Sequence, residues 1–199
     1  DSWPGARRDH SICTDTAGVP WLFGGQGFGS VFVGAPELLS DLWSWSSADS
    51  QWTYHGGTKT GGFRGVMTTA TQTLPTATDW PGARSRCAAW SAADGSVWYF
   101  GGWGHAPSGP ANAGYLNDLW AWKDGLWSWH GGAENINANG AYSVEGIFST
   151  TNWPGSRATP AAQPFAPGTA WLFGGDGYGS SVHPIFGSIR ALNGYLTQP

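Results

Sequence analysis

The chain has 199 residues and a formal net charge of −4, with nine basic against thirteen acidic side chains and no cluster of lysine or arginine. That balance lacks the positive footprint that nucleic acid or an anionic membrane surface requires, and no apolar run approaches the roughly 18 residues of a membrane-spanning helix. Thirty-two glycines, thirteen prolines and 15% aromatic residues, with 40% hydrophobic residues overall, exclude disorder and disfavour long helices; they predict short strands, many turns and ample core material.

The chain repeats itself, which governs every later element. Trp3-Pro4-Gly5-Ala6-Arg7 recurs as Trp80-Pro81-Gly82-Ala83-Arg84 and again as Trp153-Pro154-Gly155-Ser156-Arg157, at offsets of 77 and then 73 residues. In the first unit, turn residues and period-two alternation predict strand A over 8–14, strand B over 19–25, strand C over 40–46 and strand D over 51–55. Trp21 and Phe23 then share one face of strand B, and Trp43 and Trp45 one face of strand C. The second unit repeats the series through Trp98-Tyr99-Phe100-Gly101-Gly102, Asp118-Leu119-Trp120 and Trp127, with Asp94-Gly95 as a tight-turn signal. In the third unit strand B recurs as Trp171-Leu172-Phe173-Gly174-Gly175, and Ala191-Leu192-Asn193 stands where strand C belongs. The units are approximately 1–79, 80–152 and 153–199, forming one domain in which the last lacks an outer strand.

These residues resemble the long-period, Trp-rich variety of kelch repeat. The carriers are a hydrophobic strand ending in a Gly doublet, then Ser40-Asp41-Leu42-Trp43 or Asn117-Asp118-Leu119-Trp120, an aromatic two residues on, and a Trp opening the fourth strand. The resemblance covers nearly the whole chain. It implies an all-β fold of kelch-type β-propeller blades, each of four antiparallel strands with A innermost, about 2.75 blades in this chain. It also implies protein or glycan binding in most cases and copper enzymology in the galactose oxidase relatives.

Thirteen of the fifteen tryptophans occupy repeat-equivalent positions, so their expected role is packing between strands. Trp90 and Trp103 are unmatched, and Trp90 on strand A is placed to line a central channel. The loops after the Gly doublets keep their glycines while the side chains between them change. They read Gln26-Gly27-Phe28-Gly29, Trp103-Gly104-His105-Ala106 and Asp176-Gly177-Tyr178-Gly179. A scaffold that presents different groups from equivalent loops is the expected binding surface, so the candidate partner- or ligand-binding residues are Gln26, Phe28, Trp90, Trp103, His105, Asp176 and Tyr178.

No catalytic residue, metal ligand set or cofactor is expected. His55 and His130 are repeat equivalents read as structural turn residues, the other histidines lack a partner at metal-ligand spacing, and no Gly-x-Ser-x-Gly element marks a nucleophile elbow. Arg7, Arg84 and Arg157 share one repeat position, where pairing with Asp41 and Asp118 is expected. Cys13 and Cys87 fall on strand A of neighbouring units with a disulfide left open. The Thr/Pro-rich stretch 68–78 suits either O-linked sugars or a flexible insertion between units, and with only two lysines it points to an extracellular or cell-surface location.

Eleven strands do not close a propeller, which ordinarily needs four to eight blades. The expected partners are therefore further kelch repeats, in a longer parent protein or in other copies, with glycans as the alternative ligand at the variable loops.

Overall fold

The computed structural model describes residues 3–29, 34–69, 72–147, 149–166, 169–180 and 184–185. Among them the fold is all-β, and every strand pairing is antiparallel. The first unit contains β1 (Arg7–Arg8), β2 (Ser11–Thr14), β3 (Pro20–Phe23), β4 (Gln26–Gly27), β5 (Glu37–Leu38), β6 (Leu42–Ser46) and β7 (Gln51–Gly56). They form a four-stranded sheet in the order β2-β3-β6-β7 and a small sheet in the order β1-β4-β5. The second unit contains β8 (Arg84–Ser85), β9 (Ala88–Ser91), β10 (Val97–Gly104), β11 (Gly114–Lys123) and β12 (Leu126–Gly131). Here β10 and β11 run through both sheets, so the small sheet and the large one are continuous. In the third unit β13 (Arg157–Ala158), β16 (Asp176–Tyr178) and β17 (Pro184–Ile185) make the small sheet, while β14 (Ala161–Ala166) pairs β15 (Thr169–Phe173). The expected third strand C at 191–193, and its missing outer neighbour, lie outside the described residues.

Strand A departs from the continuous 8–14 expected. It breaks at Asp9, whose φ is 55°, and the same break recurs at Arg86 (φ 59°) and Thr159 (φ 54°). A left-handed residue reverses the course of the chain, at a cost of roughly 1–2 kcal/mol for a residue with a Cβ. The two halves of the strand are thereby sent to different sheets: β1 pairs β4, and β2 pairs β3. The Gly doublet does the matching job on strand B. Gly24 (φ 61°) and Gly25 (φ 102°) bend the chain so that Gln26–Gly27 leaves the large sheet for the small one.

The core lies mainly at the junctions between units. Phe23 and Leu42 of the first unit pack with Tyr99, Trp120, Trp122, Trp127 and Trp129 of the second. Trp90, Trp98, Phe100 and Leu119 of the second unit pack with Ala170 and Leu172 of the third. Buried aromatics of this size dominate core energetics. Both junctions are stitched by the same bonds. The Trp80 indole N–H donates to the Ser40 carbonyl (2.7 Å), and Trp153 does the same to Asn117 (2.9 Å). The far edges of these indoles rest on Gly56 and Gly131, where a Cβ would lie 2.6 and 2.7 Å from the ring. At the left-handed positions the Arg86 N–H donates to the Asp9 carbonyl (2.8 Å) and the Thr159 N–H to the Arg86 carbonyl (2.9 Å).

The arginine–aspartate pairing expected at the repeat position is present twice. Arg7 holds Asp41 through two bonds of 2.6 and 2.8 Å, and Arg84 holds Asp118 through two of 2.6 Å. Each carboxylate also accepts the indole N–H two residues on, from Trp43 or Trp120, at 2.7 Å. All three arginines donate to the first carbonyl of the Gly doublet, at Gly24, Gly101 and Gly174, and Arg157 also donates to the Tyr142 hydroxyl (3.2 Å).

Three sequence expectations are refined. His55 and His130 lie on outer strands, not in turns; each ring nitrogen sits 2.8 Å from a serine hydroxyl, Ser44 or Ser128. Their rings pack on Trp21 and Trp98, with centroids 4.7 and 4.5 Å apart. The Thr/Pro-rich stretch is docked across the outer edge of the second unit: the N–H groups of Thr73 and Thr76 donate to the carbonyls of Trp129 (2.7 Å) and Trp127 (3.0 Å). An otherwise bare strand edge is covered in this way. Cys13 and Cys87 are both free thiols.

Candidate functional site

The three small sheets carry the variable residues in register. Arg8 faces Gln26, which faces Leu38; Ser85 faces Trp103, which faces Tyr115; and Ala158 faces Asp176. Directly opposed residues on antiparallel strands point to the same side. Each unit therefore displays one short row of side chains, and the rows of neighbouring units are brought side by side by the junction bonds.

Between the first and second rows lies an open cleft of about 600 Å³. Gln26, Trp103 and His105 line it, with Arg8, Glu37 and Arg86. The Trp103 indole is half-buried and held in orientation from two directions: the Arg86 guanidinium lies over its ring, 6.0 Å from the centroid, and Tyr115 meets it edge-on at 4.9 Å. Gln26 is fixed by its neighbour in the row, its Oε1 accepting from Arg8 at 2.8 and 3.2 Å. Glu37 accepts the Gly61 N–H at 3.0 Å. His105 has its Nδ1 3.1 Å from the Ala111 carbonyl. Burial lowers its pKa, the Ala111 carbonyl opposes the shift, and the Arg64 charge adds to it. Among the described residues neither Arg8 nor Arg86 has a carboxylate within ion-pair distance.

The corresponding groove between the second and third rows is filled. Tyr115, which stands where the first unit has Leu38, reaches across and donates its hydroxyl to Asp176 at 2.5 Å. Tyr178 packs edge-on against Tyr115, centroids 6.0 Å apart. Burial and the adjacent Asp176 carboxylate push the Tyr115 phenol up to about 12, so it remains a donor. Asp176 and Tyr178 thus come together at Tyr115, which also packs on Trp103, while Gln26, Trp103 and His105 line the one cleft.

Two candidates lie apart. Phe28, the repeat equivalent of His105 and Tyr178, is exposed beyond the cleft, its N–H donating to the Ala6 carbonyl at 3.3 Å. Trp90 is only 5% exposed and stacks on Trp98, centroids 6.2 Å apart, within the core of the second junction. It offers no face to a ligand in this chain, because strand A of the third unit packs over it.

Sequence reasoning missed Arg8, Glu37 and Arg86. The available signal was the repeat itself: Arg86 holds the position of Asp9 and Thr159, and Arg8 that of Ser85 and Ala158. Both are charged side chains where the other units carry shorter ones. The site's capacity is recognition by mixed donors and acceptors beside one aromatic wall. No group of three or more His, Cys, Asp or Glu side chains that could hold a metal occurs among the described residues. No protein-family model matches the chain, and no curated protein shows significant sequence similarity to it.

Proposed function

We propose that the chain is a non-catalytic segment of a kelch-type β-propeller, a structural or protein-interaction element of an extracellular assembly. A four-stranded and a five-stranded antiparallel sheet joined across a junction, and a third unit that repeats their opening, support this reading. The observation that carries it is Trp3. Its equivalents Trp80 and Trp153 are each plugged into the preceding unit, with the indole N–H on a carbonyl and the ring edge on a glycine. Trp3 is the same residue left 63% exposed, its ring centroid 5.9 Å from that of Trp45.

The faces around it agree. Ile12, on the leading side of the first unit, is 55% exposed. On the trailing side of the third unit Phe173 is 48% exposed, whereas its equivalents Phe23 and Phe100 are fully buried by the next unit. Large bare apolar groups on both faces mark a surface that takes a partner. The partner is another repeat of the same kind, which supplies a carbonyl and a glycine to Trp3. Such a head-to-tail contact closes a ring or propagates an array. Sedimentation of the chain across a range of concentrations tests the proposal. It predicts association that weakens in Trp3→Ala; a stable, soluble monomer at high concentration overturns it.

A further inference from the structure

We propose that the cleft between the first and second units binds an acidic saccharide, a sugar ring bearing a carboxylate. This inference goes beyond the assembly reading and stands whether or not that reading holds. The cleft volume of about 600 Å³ lies within the 300–1,000 Å³ typical of small-molecule sites and accommodates roughly two sugar rings. Trp103 lines the cleft and supplies the aromatic surface against which the C–H groups of a pyranose pack. Its orientation is set by Tyr115 and Arg86, so it is arranged before any ligand arrives.

Charge chooses among ligands. Among the described residues Arg8 and Arg86 line the same cleft without a carboxylate at ion-pair distance, and a guanidinium fork is shaped for a carboxylate. Asp9 and Glu37 line it too. An acidic peptide would bring its carboxylates against these two, whereas sugar hydroxyls donate to carboxylates and accept from the Gln26 amide. A neutral sugar would leave both guanidiniums without an anionic partner. Only a polyhydroxylated acid meets both halves of the lining. The second groove lacks this capacity because Tyr115 and Asp176 bond across it.

Titration calorimetry of the full chain tests this with three probes: a tetrasaccharide alternating glucuronate and N-acetylglucosamine, its carboxyl-reduced counterpart, and a hexaglutamate peptide. The expected result is saturable binding of the acidic tetrasaccharide, at least tenfold tighter than the reduced form and the peptide. Trp103→Ala and Arg86→Gln should each weaken it tenfold or more. Leu38→Tyr, which brings the filling side chain of the second groove into the first, should abolish binding while circular dichroism stays unchanged, and it serves if Trp103→Ala does not fold. Absence of saturable binding at millimolar tetrasaccharide, equal affinity for the reduced form, or tighter binding of the peptide would overturn the proposal.

Discussion

The two junctions of this molecule share a backbone and differ in nearly everything else. Each has an indole plugged on a carbonyl and a left-handed residue bonded to its counterpart in the next unit. Yet above the first junction Leu38 leaves a cleft, and above the second Tyr115 closes one. The first unit pairs its repeat arginine with an aspartate at a partly solvated site, the second buries the same pair, and in the third Arg157 turns to a tyrosine hydroxyl. What the two junctions share is main-chain bonding and one tryptophan plug each, beside the apolar core that each buries. The side chains at the rim are free to diverge from unit to unit.

The largest expected effect breaks the buried pair. Arg84 and Asp118 have side-chain exposures of 1% and 2%. Arg84→Met leaves a buried carboxylate with only the Trp120 N–H and should cost about 3–5 kcal/mol in urea unfolding. The same change at Arg7, whose partner is more exposed, should cost less than half as much, and equal losses would show that burial does not separate the two pairs. Next comes the plug. Trp153→Ala should lose about 3 kcal/mol, since it removes both packing and an indole bond, while Trp3→Ala should leave the stability of the isolated chain within about 0.5 kcal/mol.

Acid supplies the third comparison. Burial lowers the pKa of His55 and brings that of His130 to about 4, against the ordinary 6.5. A histidine with a lowered folded pKa stabilises fully above its unfolded value. That contribution disappears as pH falls through the folded value, because the unfolded chain takes up the proton first. Between pH 6.5 and 4 the chain should lose about 2 kcal/mol through His130, allowing for its partial contact with solvent. His130→Gln should flatten that limb of a urea midpoint-against-pH curve, and an unchanged limb would place the acid sensitivity elsewhere. The smallest effect belongs to Lys123 and Asp94, a solvent-exposed pair at 2.8 Å. Lys123→Ala should leave the thermal midpoint unmoved.

What could be read in the chain before its fold follows from repetition. Three copies of Trp-Pro-Gly and of the Gly doublet predict which strands pair and which tryptophans pack, and the arginine–aspartate pairs follow from the same alignment. Trp3 departs from that reading because packing belongs to a junction and not to a residue: an identical side chain is buried only where a neighbour supplies the carbonyl and the glycine. The break in strand A was hidden because Asp9, Arg86 and Thr159 carry no glycine signal. The cleft was half visible. Gln26, Trp103 and His105 were marked by variation at fixed glycines, but the open space depends on Leu38 being short where Tyr115 is long, and loop residues outside the repeated motif give no warning of that.

The bond from each left-handed residue to its counterpart has a consequence for how such a molecule can change in size. Asp9 gives its carbonyl to Arg86, and Arg86 gives its own to Thr159, so the middle unit receives and offers the same kind of contact. A chain lengthened or shortened by one whole unit would keep every remaining junction intact and present the same donor at one end and the same acceptor at the other. Duplication or deletion of a full period is therefore structurally permissible, and stability should grow with the number of junctions.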